Sequence, residues 1–114
     1  MNAAEATPPA DVHPGLLLQT HFLQPHGITA QRLAVSTGLS EGLIQTLLRG
    51  ERGITVEVAL KLGRALNTGP EFWLTAQARH DLRLAEKSSP NWAAHVEPLV
   101  NDDPLITSLM PRKA

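Results

Sequence analysis

The sequence predicts an all-α fold: five helices built around a helix-turn-helix, followed by a C-terminal tail. Three observations lead there. In ITAQRLAVSTGLSEGLIQTLLRGER, residues 28–52, a small Ala34, a glycine four residues on at Gly38 and an aliphatic Ile44 six residues beyond fit two short helices crossing at a tight turn. Elsewhere apolar residues recur at helical spacings. Helix start and stop residues (Pro14, Thr55, Asn67, Gly69, Pro70) punctuate them.

Taken in order, residues 1–12 carry Pro8 and Pro9 among alanines and small polar residues. They have little to bury and are expected to form a mobile arm. Pro14 suits the first turn of a helix, with His13 placed to cap it and Leu17, Leu18, Phe22 and Leu23 forming its apolar stripe. Pro25 and Gly27 are expected to stop it. The helix-turn-helix follows over residues 29–37 and 40–48, with Leu33 and Ala34 inward on its first helix and Ile44, Leu47 and Leu48 inward on its second. Gly38 supplies the positive φ of the turn. Residues 50–54 read as a loop, and Thr55 as the N-cap of a fourth helix with Ala59, Leu62, Ala65 and Leu66 on one side.

Pro70 opens a fifth helix that runs to about residue 87. Its apolar residues, from Phe72 through Ala76 to Leu84 and Ala85, cover more than one face, and a five-helix domain this small covers only one. Phe72, Trp73, Leu74, Ala78 and Leu82 are therefore expected to anchor packing against a second copy of the chain. The alternative is that the tail folds back over this helix. That tail, residues 88–114, breaks from the helix at Ser88 to Pro90 but is not polar, since it holds Trp92, Val96, Leu99 and Val100. Asp103 and Pro104 would cap and open a short amphipathic helix, with Leu105, Ile106, Leu109 and Met110 on one face. The expected division is an arm over 1–12, a DNA-binding and dimerisation domain over 13–87, and a tail over 88–114.

A chain of 114 residues makes one domain with one modest core. Its net charge of −1 excludes a protein that is basic all over, but not one with a local positive face. Residues 31–64 hold five basic side chains (Arg32, Arg49, Arg52, Lys61, Arg64) against three acidic ones (Glu41, Glu51, Glu57), a net +2, whereas residues 1–28 have no Lys or Arg. There is no cysteine, so disulfides, thiolate nucleophiles and cysteine zinc sites are excluded. The five histidines (His13, His21, His26, His80, His95) lack paired ligand spacing, so no metal is expected. No glycine-rich phosphate loop, nucleophile elbow or carboxylate constellation is present, so neither an enzyme nor a cofactor is expected. No apolar run nears the roughly 18 residues of a membrane span, and no signal-peptide pattern opens the chain; a soluble cytoplasmic protein is the expectation.

In a helix-turn-helix the early residues of the second helix face base edges, while its partner helix and flanking loops hold phosphates. Ser40, Glu41, Gly42, Gln45, Thr46 and Arg49 are the groove-facing candidates. Gln45 has the geometry for a bidentate contact to adenine, Thr46 can touch a thymine methyl, and Glu41 can accept from cytosine N4. Gln31, Arg32, Arg52 and Thr55 are the phosphate candidates; a solvated polar surface is the alternative for them. Glu41 repels phosphate and Gly42 offers no side chain, so specificity would lean on DNA shape and dimer spacing.

Four segments together, HPGLLLQTHFLQPHGIT, RGERGIT, ALKLGRALNTGPEFWL and QARHDLRLAE, resemble the HigA family of antitoxins, plasmid-maintenance antidote proteins within the XRE/Cro group of helix-turn-helix regulators. The resemblance covers residues 13–87 and leaves out the tail. It implies a five-helix, lambda-repressor-like domain that dimerises, neutralises a HigB-like toxin that cleaves messenger RNA, and represses its own operon on palindromic double-stranded operator DNA. The chain departs from the family pattern at Leu16, usually acidic, at Gly69, usually serine, and at Glu41-Gly42, where the recognition helix commonly reads Ser-Pro-Ser. Two other readings stay open: a toxin-blocking module without useful DNA recognition, and a stand-alone regulator without a toxin.

Overall fold

The computed structural model describes residues 12–110, and among them there is no strand. Most of the arm expected over 1–12 lies outside the described residues.

Helix α1 starts as Pro14–Leu18, widens into π-helical Gln19–Leu23 and closes as Gln24–His26. Helices α2 (Ala30–Thr37) and α3 (Glu41–Leu48) form the helix-turn-helix; α4 is Val56–Ala65, α5 is Pro70–Ser88 and α6 is Pro104–Thr107. Pro25 does not stop α1, contrary to the sequence expectation. The widened turn lies just ahead of it, where an α-helical turn would press the proline ring on the His21 carbonyl. Gly27, at φ 64°, ends the helix instead, with the Ile28 N–H donating to the Leu23 carbonyl and the Gly27 N–H to that of Gln24.

The starts of α2, α3 and α4 share one device. Thr29 accepts from the Arg32 N–H, Ser40 from Leu43 and Thr55 from Val58, each hydroxyl satisfying a donor that the first turn leaves without a partner. Gly38, at φ 76°, closes α2, and a bare glycine adopts that angle at no steric cost.

The core joins Leu17, Leu18 and Leu23 of α1 to Leu33 and Ala34, Ile44 and Leu47, Val58, Ala59 and Leu62, and Phe72, Trp73 and Ala76. Helices α4 and α5 share the most extensive contact. The inward face of α4 is Val58, Ala59, Leu62 and Gly63, so Ala65, expected inside, is exposed. Gly63 is required there: a Cβ would lie 2.4 Å from the Gly69 carbonyl carbon, where the chain crosses back into α5.

Phe72 and Trp73 belong to the chain's own core, which corrects their expected place in a dimer interface. Trp73 is fully buried, its ring centroid 5.0 Å from Phe72 and 5.2 Å from Phe22, and its indole N–H donates to Thr68 Oγ1 at 2.8 Å. The single buried polar side chain among the described residues, Thr68, is there to receive that bond. Of the other residues expected in a dimer interface, Leu74 is half-buried, and Ala78 and Leu82 are exposed. Beyond Gln77 the helix leaves the core, and every residue from 81 to 102 is exposed. The tail does not bury α5, whose residues from 81 onward stay exposed; Trp92 borders a small cleft with Leu82, Ala85 and Glu86. Asp103 caps α6 as expected, but Leu105, Ile106, Leu109 and Met110 are exposed and join no buried core.

Candidate nucleic-acid interface

Glu41, Gln45 and Arg49 recur at i, i+4, i+8 along α3, and Gly42 and Thr46 at i, i+4 beside them, so they form two adjoining rows on the side away from Ile44 and Leu47. Ser40, Glu41, Gly42 and Arg49 are exposed, and Gln45 and Thr46 half-buried. Ser40 keeps its hydroxyl proton, since as the α3 cap it only accepts, from Leu43 N–H at 3.0 Å. Thr46 donates its hydroxyl to the Leu43 carbonyl at 2.7 Å, which leaves its methyl group as the part available for an apolar contact. Arg49 is half-neutralised, its Nε donating to Glu51 Oε2 at 3.1 Å in an exposed pair. In water such a pair is worth roughly 0–1 kcal/mol, so a phosphate can draw the guanidinium away.

The phosphate candidates flank this helix. Gln31 and Arg32 sit exposed in the first turn of α2, Thr55 at the cap of α4 and Arg52 in the loop between α3 and α4. Thr55 accepts from the Val58 N–H at 3.3 Å and retains its own donor.

That loop is built rather than slack. Gly50, at φ 74°, donates its N–H to the Leu47 carbonyl while Glu51 donates to Thr46, so the last carbonyls of α3 are satisfied. The far side is held by Gln77 of α5, whose Oε1 accepts from the Ile54 N–H at 2.7 Å and whose Nε2 donates to Asp81 Oδ1 at 2.9 Å. A Cβ on Gly53 would lie 3.2 Å from the Gln77 amide, so the glycine lets that side chain in. Sequence reading missed Gln77, because its partner is 23 residues away and nothing in its neighbourhood marks it.

The opening His13-Pro14-Gly15 carries a third support. His13 Nδ1 accepts from the Gly15 N–H at 2.9 Å, which confirms the expected cap and places the proton of the neutral ring on Nε2. Burial pushes the His13 imidazole below its ordinary value; the adjacent His80, 5.1 Å away ring to ring, lowers it further, and Asp81 opposes both. Gly15 meets the end of α3 directly: a Cβ there would lie 1.8 Å from the Leu47 carbonyl oxygen. Helix α3 is thus fixed at its start by Ser40, at its end by Gly15 and beyond its end by Gln77. No group of acidic, histidine or cysteine side chains among the described residues is arranged to hold a metal ion.

A helix-turn-helix family profile matches residues 22–73, from the middle of α1 into α5. The antitoxin HigA-1 of Vibrio cholerae is 38% identical over 85 residues, which cover 75% of this chain and 80% of that one. This chain belongs to the HigA family of antitoxins. Solved HigA-type structures agree with that placement. The Pseudomonas aeruginosa antitoxin HigA, determined with the higBA promoter, superposes with a TM-score of 0.72 at 30% identity, over 79% of this chain and 99% of its own. The antitoxin GraA in complex with its operator gives 0.73 at 33% identity, over 84% and 98%. A HigA-type antitoxin is a DNA-binding regulator and not an enzyme. Among the described residues no helix is long and apolar enough to cross a membrane.

Proposed function

We propose that this HigA-family chain is the antitoxin of a toxin–antitoxin pair, which binds palindromic operator DNA as a homodimer, represses its own operon, and blocks a HigB-like mRNA-cleaving toxin by direct binding in the cytoplasm. The observation that carries the DNA reading is the outward double row of Glu41, Gln45, Arg49, Gly42 and Thr46 on a helix whose two ends are pinned. Gln45 and the Thr46 methyl read bases, Ser40, Glu41 and Arg49 complete the face, and Gln31, Arg32, Arg52 and Thr55 hold phosphates. Leu74, Ala78 and Leu82 of α5 supply the dimer contact. The likeness to antitoxins solved with promoter and operator DNA supports this assignment.

Fluorescence anisotropy of the purified protein on its own upstream DNA and on scrambled DNA, at about 50 and 200 mM salt, tests the reading. A preference of roughly a thousandfold, with a steep salt slope, is the expected result. Gln45→Ala with Thr46→Ala should remove about 1–3 kcal/mol of that preference; an unchanged preference would show that α3 is not the reading helix. A second reading, a toxin-blocking module without useful DNA recognition, is favoured by Glu41, by the empty position at Gly42 and by the engagement of Arg49 with Glu51. It predicts weak binding to both DNAs with toxin neutralisation intact.

A further inference from the structure

Helices α2 and α4 leave a trough between them that no described part of the chain fills. One end, about 510 Å³, is lined by Ser36 and Thr37 of α2 and by Leu60, Lys61, Arg64 and Ala65 of α4. The other, about 270 Å³, shares Ser36 and Ala65 and continues to Arg32 and Leu66. Leu60 on its wall is 55% exposed, an aliphatic side chain that a solvated face has no use for. Its walls mix Leu60, Ala65 and Leu66 with Ser36 and Thr37, and its rim carries Arg32, Arg64 and Lys61, whose Nζ donates to Glu57 Oε2 at 2.9 Å, a net positive edge.

The tail has the opposite character. Residues 88–110 carry Glu97, Asp102 and Asp103 with no Lys or Arg, interleaved with Val96, Leu99, Val100, Leu105 and Ile106, all exposed. An acidic segment with interleaved aliphatic side chains and a trough with a net positive edge and Leu60 exposed on its wall are complementary on the same polypeptide. Helix α5 continues twelve residues past Ala76, its last buried side chain, about 18 Å at 1.5 Å per residue, so the tail starts at the outer end of that helix. Trp92, 60% exposed, borders a cleft there with Leu82 and Ala85.

We infer that the trough between α2 and α4 receives the acidic, apolar tail of a second copy of this chain. Leu99, Val100 and their neighbours bury against Leu60 and Ala65, while Glu97 and Asp102 face Arg64 and draw Lys61 from its exposed pair with Glu57. The inference rests on the reading of the chain as a dimer and adds a second, exchanged contact to the one on α5.

Sedimentation equilibrium of four full-length proteins tests it: wild type, Glu97→Lys with Asp102→Lys, Lys61→Glu with Arg64→Glu, and all four substitutions together. The four side chains lie at the surface, and circular dichroism confirms that each protein is folded. Each reversed pair should weaken dimerisation roughly tenfold at low salt, since it replaces two attractions with two repulsions, and the fourfold variant should recover most of the loss. Equal dimerisation in all four would overturn the exchange and leave the dimer on α5 standing. Two losses that accumulate without recovery would also overturn it. So would a tail variant that dimerises normally but no longer binds the toxin, which would make that protein the tail's occupant. A wild type that stays monomeric throughout would overturn the dimer reading and the exchange with it.

Discussion

A Cβ on Gly15 would stand 1.8 Å from the Leu47 carbonyl oxygen and 2.8 Å from its carbon, both backbone atoms that cannot rotate away. Gly15→Ala should therefore cost about 3 kcal/mol or more, at the upper end of what overpacking does, and urea unfolding measures it. His13 beside it makes the same contact sensitive to pH. Its folded-state pKa is depressed by burial and by His80, so between that value and the ordinary one near 6.5 the unfolded chain binds more protons. The stability it contributes is complete above about 6.5 and is lost as pH falls through the folded value, where a proton on Nδ1 also removes the cap to Gly15. His13→Asn keeps a capping oxygen without the titration, so its melting temperature should fall less than that of wild type between about pH 7 and pH 5.

Among the helices, α3 is the one whose composition conflicts with its role. Gly42 lies in its first turn with open space where a Cβ would go and no positive φ to require glycine. Gly42→Ala should raise stability by about 0.5–1 kcal/mol, read as a rise in melting temperature. The elements themselves were legible from sequence wherever a local signal carries them: the caps at His13, Thr55 and Asp103, the turn at Gly38 and the start at Pro70 all depend on neighbours within a few residues. Thr29 and Ser40, read as first helical residues, stand one position outside as caps. The outward face of α3 was legible for the same reason, by periodicity from Ile44 and Leu47. What sequence did not reveal depends on distant partners. Gln77 acts on Ile54, Gly63 makes room for Gly69, and Trp73 turns inward to Thr68, a direction that its place in a broadly apolar helix leaves open. The widened turn before Pro25 also escaped, because a proline reads as a stop until the helix is seen to absorb it.

At the scale of the molecule, basic side chains gather in residues 31–64 of a chain whose net charge is −1. DNA affinity should therefore come from one face and fall steeply with salt. Two such faces related by a dyad enter successive major grooves on one side of the duplex, so operator half-sites should lie about 34 Å apart. Inserting about five base pairs between the half-sites turns one of them to the opposite side, and should cut affinity to near that of scrambled DNA, whereas about ten restores the facing. The bare Cα of Gly15 against Leu47 adds a consequence for this assembly. With no side chain to give way between them, a displacement of α1 is expected to carry the end of α3 with it. A ligand on α1 would then shift the helix proposed to face the DNA, and the two binding events would share one coupling free energy. Linkage makes that coupling reciprocal: by whatever factor a ligand on α1 alters the hold on DNA, DNA alters the hold on that ligand.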